Sequence, residues 1–153
     1  MKNVILIIAC LISINSYSQD EDYDFVSKTT ENINLYIKAS TIKIESQYQK
    51  QYKVWVMGYI DKDDLLVAQS KLVAKYKDIK LKKTQTTKTL FYVDCNEDKI
   101  SVCRILYYDK DGNVLVDDKY CEYFVDYSDI VPETVGEYIL NYVCNYANEN
   151  FGE

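Results

Sequence analysis

The clearest alternation in the chain runs over residues 52–60. There Tyr52, Val54, Val56 and Gly58 fall on one side, and Lys53, Trp55, Met57 and Tyr59 on the other. A period of two predicts a strand. Residues 25–28 and 34–38 read as a shorter strand pair around the polar tetrapeptide Thr29-Thr30-Glu31-Asn32. After the break Asp61-Lys62-Asp63-Asp64 the period changes. Leu65, Leu66, Gln69, Leu72, Val73 and Tyr76 recur at helical spacing behind Asp63 or Asp64 as N-cap. The next stretch is expected to be extended, with a strand over residues 89–95. Residues 100–108 form the strongest strand candidate, dense in β-branched and aromatic side chains. Asp109-Lys110-Asp111-Gly112-Asn113 turns the chain, and residues 114–124 are expected to return as a hairpin.

A second helix is announced by its start signal. Thr134-Val135-Gly136-Glu137 fits the capping box, and Pro132 keeps the residue before it extended. Val135, Ile139, Tyr142, Val143 and Tyr146 then make one apolar stripe. Strands first and a closing helix last give an α+β domain: a small antiparallel β-sheet with a C-terminal α-helix packed on one face.

The N-terminus has another logic. One lysine, Lys2, precedes an apolar run over residues 4–14, and small residues stand two apart at Ser16 and Ser18. That is the pattern of a secretory signal. The run is too short for the ~20 residues a membrane helix needs. A lipobox reading of Ile7-Ile8-Ala9-Cys10 is weaker, because apolar sequence continues past that cysteine. Cleavage after Ser18 makes residues 1–18 a signal peptide. Residues 19–153 are then a single domain with its core over about 25–147, exported to the periplasm, the surface or the medium.

Export changes how the cysteines are read. Cys95, Cys103, Cys121 and Cys144 remain, an even number that implies two disulfides with three pairings open. A hairpin with its tip near Gly112 places Cys103 opposite Tyr120 or Cys121, within disulfide reach. Zinc is disfavoured, since no Cys-x-x-Cys pair exists and the chain has no histidine.

The missing histidine also excludes Ser-His and Cys-His nucleophile pairs. Carboxylate pairs such as Asp117-Asp118 point to opposite faces of a strand, a poor arrangement for acid/base work. No catalytic residue, metal site or cofactor motif is assigned, and the chain is expected not to be an enzyme. Asp109-x-Asp111-Gly112-Asn113 resembles the start of a calcium loop, but its twelfth position is Tyr120 rather than a bidentate glutamate, so it reads as a turn.

Charge is more informative. The chain carries a formal net charge of −6, which argues against nucleic acid as a partner. Yet Lys71, Lys75, Lys77, Lys80, Lys82, Lys83 and Lys88 are opposed locally only by Asp78. That run reads either as a solvated face or as a contact for polyanions: a glycan, or the acidic surface of an extracellular or envelope protein. Thr84 to Thr87, flanked by lysines, also fits an edge strand. The 16 tyrosines are expected partly in the core with a wet hydroxyl and otherwise scattered.

Several ordered pieces are similar to the bacterial surface-adhesin protein E family. They are Val54-Trp55-Val56, then Phe91-Tyr92-Val93-Asp94-Cys95, then Tyr107-Tyr108-Asp109 with Gly112. Pro132-Glu133-Thr134-Val135-Gly136-Glu137 follows, ending on Leu140 and Val143-Cys144. Cys103, Cys121, residues 63–87 and residues 145–153 stand outside the pattern. The resemblance implies a small antiparallel sheet with a C-terminal helix, and adhesion to extracellular proteins. Its Asp-Cys and Val-Cys ends imply a bridge from Cys95 to Cys144, which leaves Cys103 for Cys121. The reading is a non-enzymatic exported binding domain. The alternatives are an envelope structural or inhibitor protein, or a carboxylate-dependent hydrolase. N-terminal sequencing of the exported protein is expected to begin at Gln19; acylated Cys10 at the terminus would overturn this.

Overall fold

The computed structural model describes residues 23–121 and 125–152. The expected signal peptide therefore lies outside the described residues, as does the end of the expected return strand at residues 122–124. The sheet is built around β4 (Gln51–Tyr59), whose Tyr52, Val54, Val56 and Gly58 are buried while the alternate residues are not. β4 pairs antiparallel along its whole length with β5 (Thr86–Asp94), from Gln51↔Asp94 to Tyr59↔Thr86. β5 pairs in turn with β6 (Lys99–Tyr108).

On the far edge of β4 lie two strands end to end. β2 (Asn34–Lys38) covers residues 56–59 of β4, and β3 (Lys43–Ser46) covers residues 51–53. A 3-10 turn, Ala39–Thr41, separates them. Trp55 faces that gap, and Thr41 Oγ1 lies 3.3 Å from its carbonyl oxygen, replacing the missing ladder bond. β1 (Tyr23–Lys28) forms the outer strand against β2. On the other side, β7 (Val114–Lys119) and the short β8 (Ser128–Asp129) follow one another along β6. All pairings are antiparallel, and the path is β1-β2-β4-β5-β6-β7.

Two helices lie on the inner face. α1 (Leu65–Tyr76) is inserted between β4 and β5, and α2 (Val135–Asn150) closes the chain. Ile37, Val54, Val56 and Val93 of the sheet are fully buried with Ala68 of α1 and Ile139 and Val143 of α2. The architecture is the α+β sheet with a C-terminal helix that the sequence pattern implies.

Several details differ from expectation. In α1, Ala68 and Leu72 are buried and Leu66 is exposed, so the apolar stripe is narrower than its sequence. Asp64 occupies the N-cap but makes no cap bond; its carboxylate takes Lys28 and Asn32 instead. The stretch after α1 is not extended: Ile79–Lys83 is a 3-10 turn that buries Leu81. Thr84 to Thr87 is no edge strand, because β5 runs between β4 and β6 and both threonines are buried.

In α2, Leu140 and Ala147 join the buried stripe, while Tyr142 and Tyr146 are half-buried. The capping box is displaced. Thr134 donates its hydroxyl to Val131 O, and the Glu137 carboxylate accepts from the N–H of Glu133, which sits at φ 59°. The left-handed turn at Glu133 moves the free N–H one residue ahead of the cap.

Cys95 is joined to Cys144 and Cys103 to Cys121, with Cα–Cα distances of 5.8 and 4.8 Å. The second bridge follows from hairpin register. Pairs from Arg104↔Lys119 to Tyr107↔Val116 continue until the N–H groups of Tyr120 and Cys121 both reach the Cys103 carbonyl, at 2.9 and 3.4 Å. Cys103 is itself the extra residue of a bulge against β5, between Leu90↔Arg104 and Phe91↔Val102.

Two expected outcomes follow from this packing. A Cβ added at Gly58 would stand 2.1 Å from Thr87 Oγ1 and 2.7 Å from Ile33 Cγ2. Gly58→Ala is therefore expected to cost about 1–3 kcal/mol, read as a lower urea midpoint; an unchanged midpoint would refute the crowding.

α1 is tethered to the β1–β2 turn by Lys28–Asp64, Lys75–Glu31 and a bond from Lys71 to Thr30 O. Lys28 and Asn32 hold the Asp64 carboxyl below its ordinary range. Burial pushes Glu31 up, but Lys75 and local hydrogen bonds outweigh it and leave its carboxyl lowered. A lowered folded pKa gives stability that is present above the unfolded carboxylate range, near pH 4, and lost as pH falls through the folded value. Thermal melts are expected to drop between pH 5 and pH 2.5, less steeply in Glu31→Gln; equal pH dependence in the two proteins would contradict this.

Candidate functional site

Three surfaces present themselves. The first is the lysine run, which the fold divides. Lys71 reaches Thr30 O and Asn32 Oδ1 at 2.8 and 2.9 Å, and Lys75 pairs with Glu31 at 2.7 Å, so both hold α1 in place. Lys88 stands on β5 over the Tyr108 ring, 5.7 Å from its centroid, on the opposite face of the sheet. Lys77, Lys80, Lys82 and Lys83 remain together, exposed, and pair with no carboxylate among the described residues. Their backbone is fixed. Lys77 caps α1 at φ 58°, Asp78 accepts the N–H of Lys80, and Leu81 anchors the turn in the core. The ridge is four exposed lysines within seven residues, on a turn anchored by the buried Leu81.

The second surface is a cleft of 590 Å³ on the inner face, where α1 and α2 leave part of the sheet uncovered. Leu35, Phe91, Val102, Ile105 and Tyr107 line it, with Glu31 and Lys75 at its mouth. Burial, with a hydrogen bond to Tyr76, holds the Tyr107 phenol far above its ordinary range, so it stays neutral.

The third is the outer face of the sheet, on which no described helix packs. Alternation places Trp55, Met57 and Tyr59 there, with Tyr36, Leu90, Leu106 and Tyr108 on the neighbouring strands. Phe25, Tyr36 and Tyr59 meet edge to face in a row, with centroids 5.5 and 5.7 Å apart. Sequence reading missed this surface. Its tyrosines are dispersed along the chain and converge only through strand order.

The remaining candidates fall into structural roles. Asp109 accepts the N–H groups of Asp111 and Asn113, and Gly112 sits at φ 82°, so the would-be calcium loop is a hairpin turn. Asp117 receives two 2.8 Å bonds from Arg104 on the outer face, while Asp118 lies opposite Ile105 on the inner side. Among the described residues no group of three metal-ligating side chains occurs, and no helix is long and apolar enough to cross a membrane.

Comparison with solved structures matches this architecture to Haemophilus influenzae protein E. One structure of that protein superposes with a TM-score of 0.52 at 14% identity, over 82% of this chain and 86% of the other. A second crystal form gives 0.50 at 14% identity, over 86% and 90%. At these identities the likeness is one of fold. No curated protein sequence matches the chain significantly. The family model of surface-adhesin protein E matches residues 23–145, from the first residue of β1 to just past Cys144. The chain belongs to the surface-adhesin protein E family.

Proposed function

We propose that the protein is an exported, non-enzymatic binding protein of the adhesin type, and that it contacts polyanionic partners through the ridge Lys77, Lys80, Lys82 and Lys83. Family membership supports the general role. The single observation behind the site is the free state of those four ammonium groups on an anchored turn of a net acidic chain. A fixed cluster of one sign raises the local concentration of opposite charge and speeds encounter. The partner class is an anionic glycan or the acidic surface of an extracellular or envelope protein.

Charge without an apolar component gives modest, salt-sensitive binding, because surface charges are screened within about 8 Å at physiological ionic strength. On a heparin column the mature protein is expected to be retained at low salt and released near physiological salt. Replacing Lys80, Lys82 and Lys83 with Glu is expected to weaken binding by on the order of 100-fold, at about 1 kcal/mol per lysine near an anionic surface. Unchanged retention would refute the ridge. Retention lost instead in Lys88→Glu alone would move the contact to the outer face.

A further inference from the structure

We infer that the outer face of the sheet is a docking surface for an acidic protein that carries apolar side chains among its carboxylates. Its centre is apolar and aromatic: Trp55, Met57, Leu90 and Leu106 stand side by side on β4, β5 and β6. A groove of 340 Å³ crosses it, lined by Tyr23, Trp55, Met57, Lys88, Leu106 and Tyr108. Phe25, on the outer strand, is 59% exposed. Trp, Tyr, Phe and Met are the side chains enriched where proteins dock, and a contiguous apolar face with a charged rim is the usual anatomy of such a site. With strands about 4.8 Å apart and about 3.4 Å per residue, the open part of the face measures roughly 25 by 20 Å, because its far end is closed over the buried Asp94 and Ser101, where Tyr127 stands near Tyr92, Asp94 and Glu45. That is the size of a weak, transient contact rather than the ~800 Å² per partner of a standard interface.

Charge selects the occupant. Lys38, Lys43, Lys53, Lys88, Arg104 and Lys119 register on this face, where Glu45 pairs with Lys53 and Asp117 with Arg104. At its far end Lys99 lies between Asp94 and Asp129, so cations outnumber carboxylates on the face by seven to four. The face is therefore positive on a chain whose net charge is −6. A second copy would set cations against cations, which costs several kcal/mol for close like charges. A glycan fits the ridge better than this face. Here Lys38 and Lys88 lie over the Tyr23 and Tyr108 rings, and the rings of the Phe25–Tyr36–Tyr59 row meet edge to face. Apolar depth between cations is filled by protein side chains flanked by carboxylates.

Trp55 is the only tryptophan, so its emission reports on this face alone. The test titrates mature protein with a random Glu-Tyr copolymer, with poly-glutamate of equal length, and with heparin. The Glu-Tyr copolymer is expected to shift Trp55 emission and to bind at least tenfold more tightly than poly-glutamate. Lys88→Glu and, independently, Phe25→Ser are expected to lose that preference while melting near the parent temperature. The Lys80/Lys82/Lys83→Glu variant is expected to keep it, which separates failure here from failure of the ridge. Equal binding of the two polypeptides, loss of binding only in the ridge variant, or a larger Trp55 response to heparin would each overturn the inference.

Discussion

The bridge between Cys95 and Cys144 fixes which side of the sheet is covered. Cys95 follows Asp94, whose carboxylate accepts from Asn96 N, Glu97 N and the Gln51 side chain, so the cysteine leaves β5 in a set direction. Cys144 follows Val143, which with Ile139 is fully buried in α2. A sequence separation of 49 makes this a long closure. By chain entropy it is worth up to ~4 kcal/mol, through the states it removes from the unfolded chain. Around it the helix gains lateral contacts: Tyr142 donates to Asp24 on β1, and Phe151 stacks on Tyr52 at 5.8 Å. With α2 held here and α1 at the other end, both helices cover the inner face, and the outer face keeps its aromatic surface.

That asymmetry explains what sequence could show. β4 and β6 were legible because alternation or β-branched density marks a strand whatever its neighbours. α2 was legible from Pro132, Thr134 and the stripe through Val143. The edge pieces β3 and β8 were not, being four and two residues long and without a buried alternation of their own. The 3-10 turn was hidden because its one anchor, Leu81, sits among lysines that resemble solvated chain. The lysine run itself is continuous only in sequence. Lys71 and Lys75 face Thr30, Glu31 and Asn32, which lie some forty residues away along the chain, and no local pattern predicts that meeting.

The outer face was illegible for a different reason. Alternation in β4 separates Val54 and Val56 from Trp55 and Met57, but both sets are apolar, and periodicity does not say which one a helix will cover. Only the placement of α1 and α2 decides that. The same placement sorts the charge. Seven cations collect on the uncovered side against the four carboxylates Glu45, Asp94, Asp117 and Asp129, while Asp24, Glu31 and Asp64 are engaged by Tyr142, Lys75 and Lys28 toward the helices. An acidic chain thus presents a basic face, the arrangement that steers an acidic partner without making the whole molecule basic.

The sheet's edges point the same way. An open antiparallel sheet invites pairing at its outer strands, and proteins blunt those strands with bulges and charge. β1 has a register break between Phe25 and Ser27, and β7 has one against Tyr107 and Tyr108 and carries Asp117, Asp118 and Lys119. β8 is two residues long, and β3 carries Lys43 and Glu45. Strand addition is thereby discouraged at both margins, and the backbone is a poor recognition element in this fold. Recognition is left to side chains, on the lysine ridge where charge alone acts and on the outer face where charge frames an apolar centre. The two surfaces differ in what salt does to them. Raising ionic strength weakens the first throughout, while the second keeps the contribution of its buried rings.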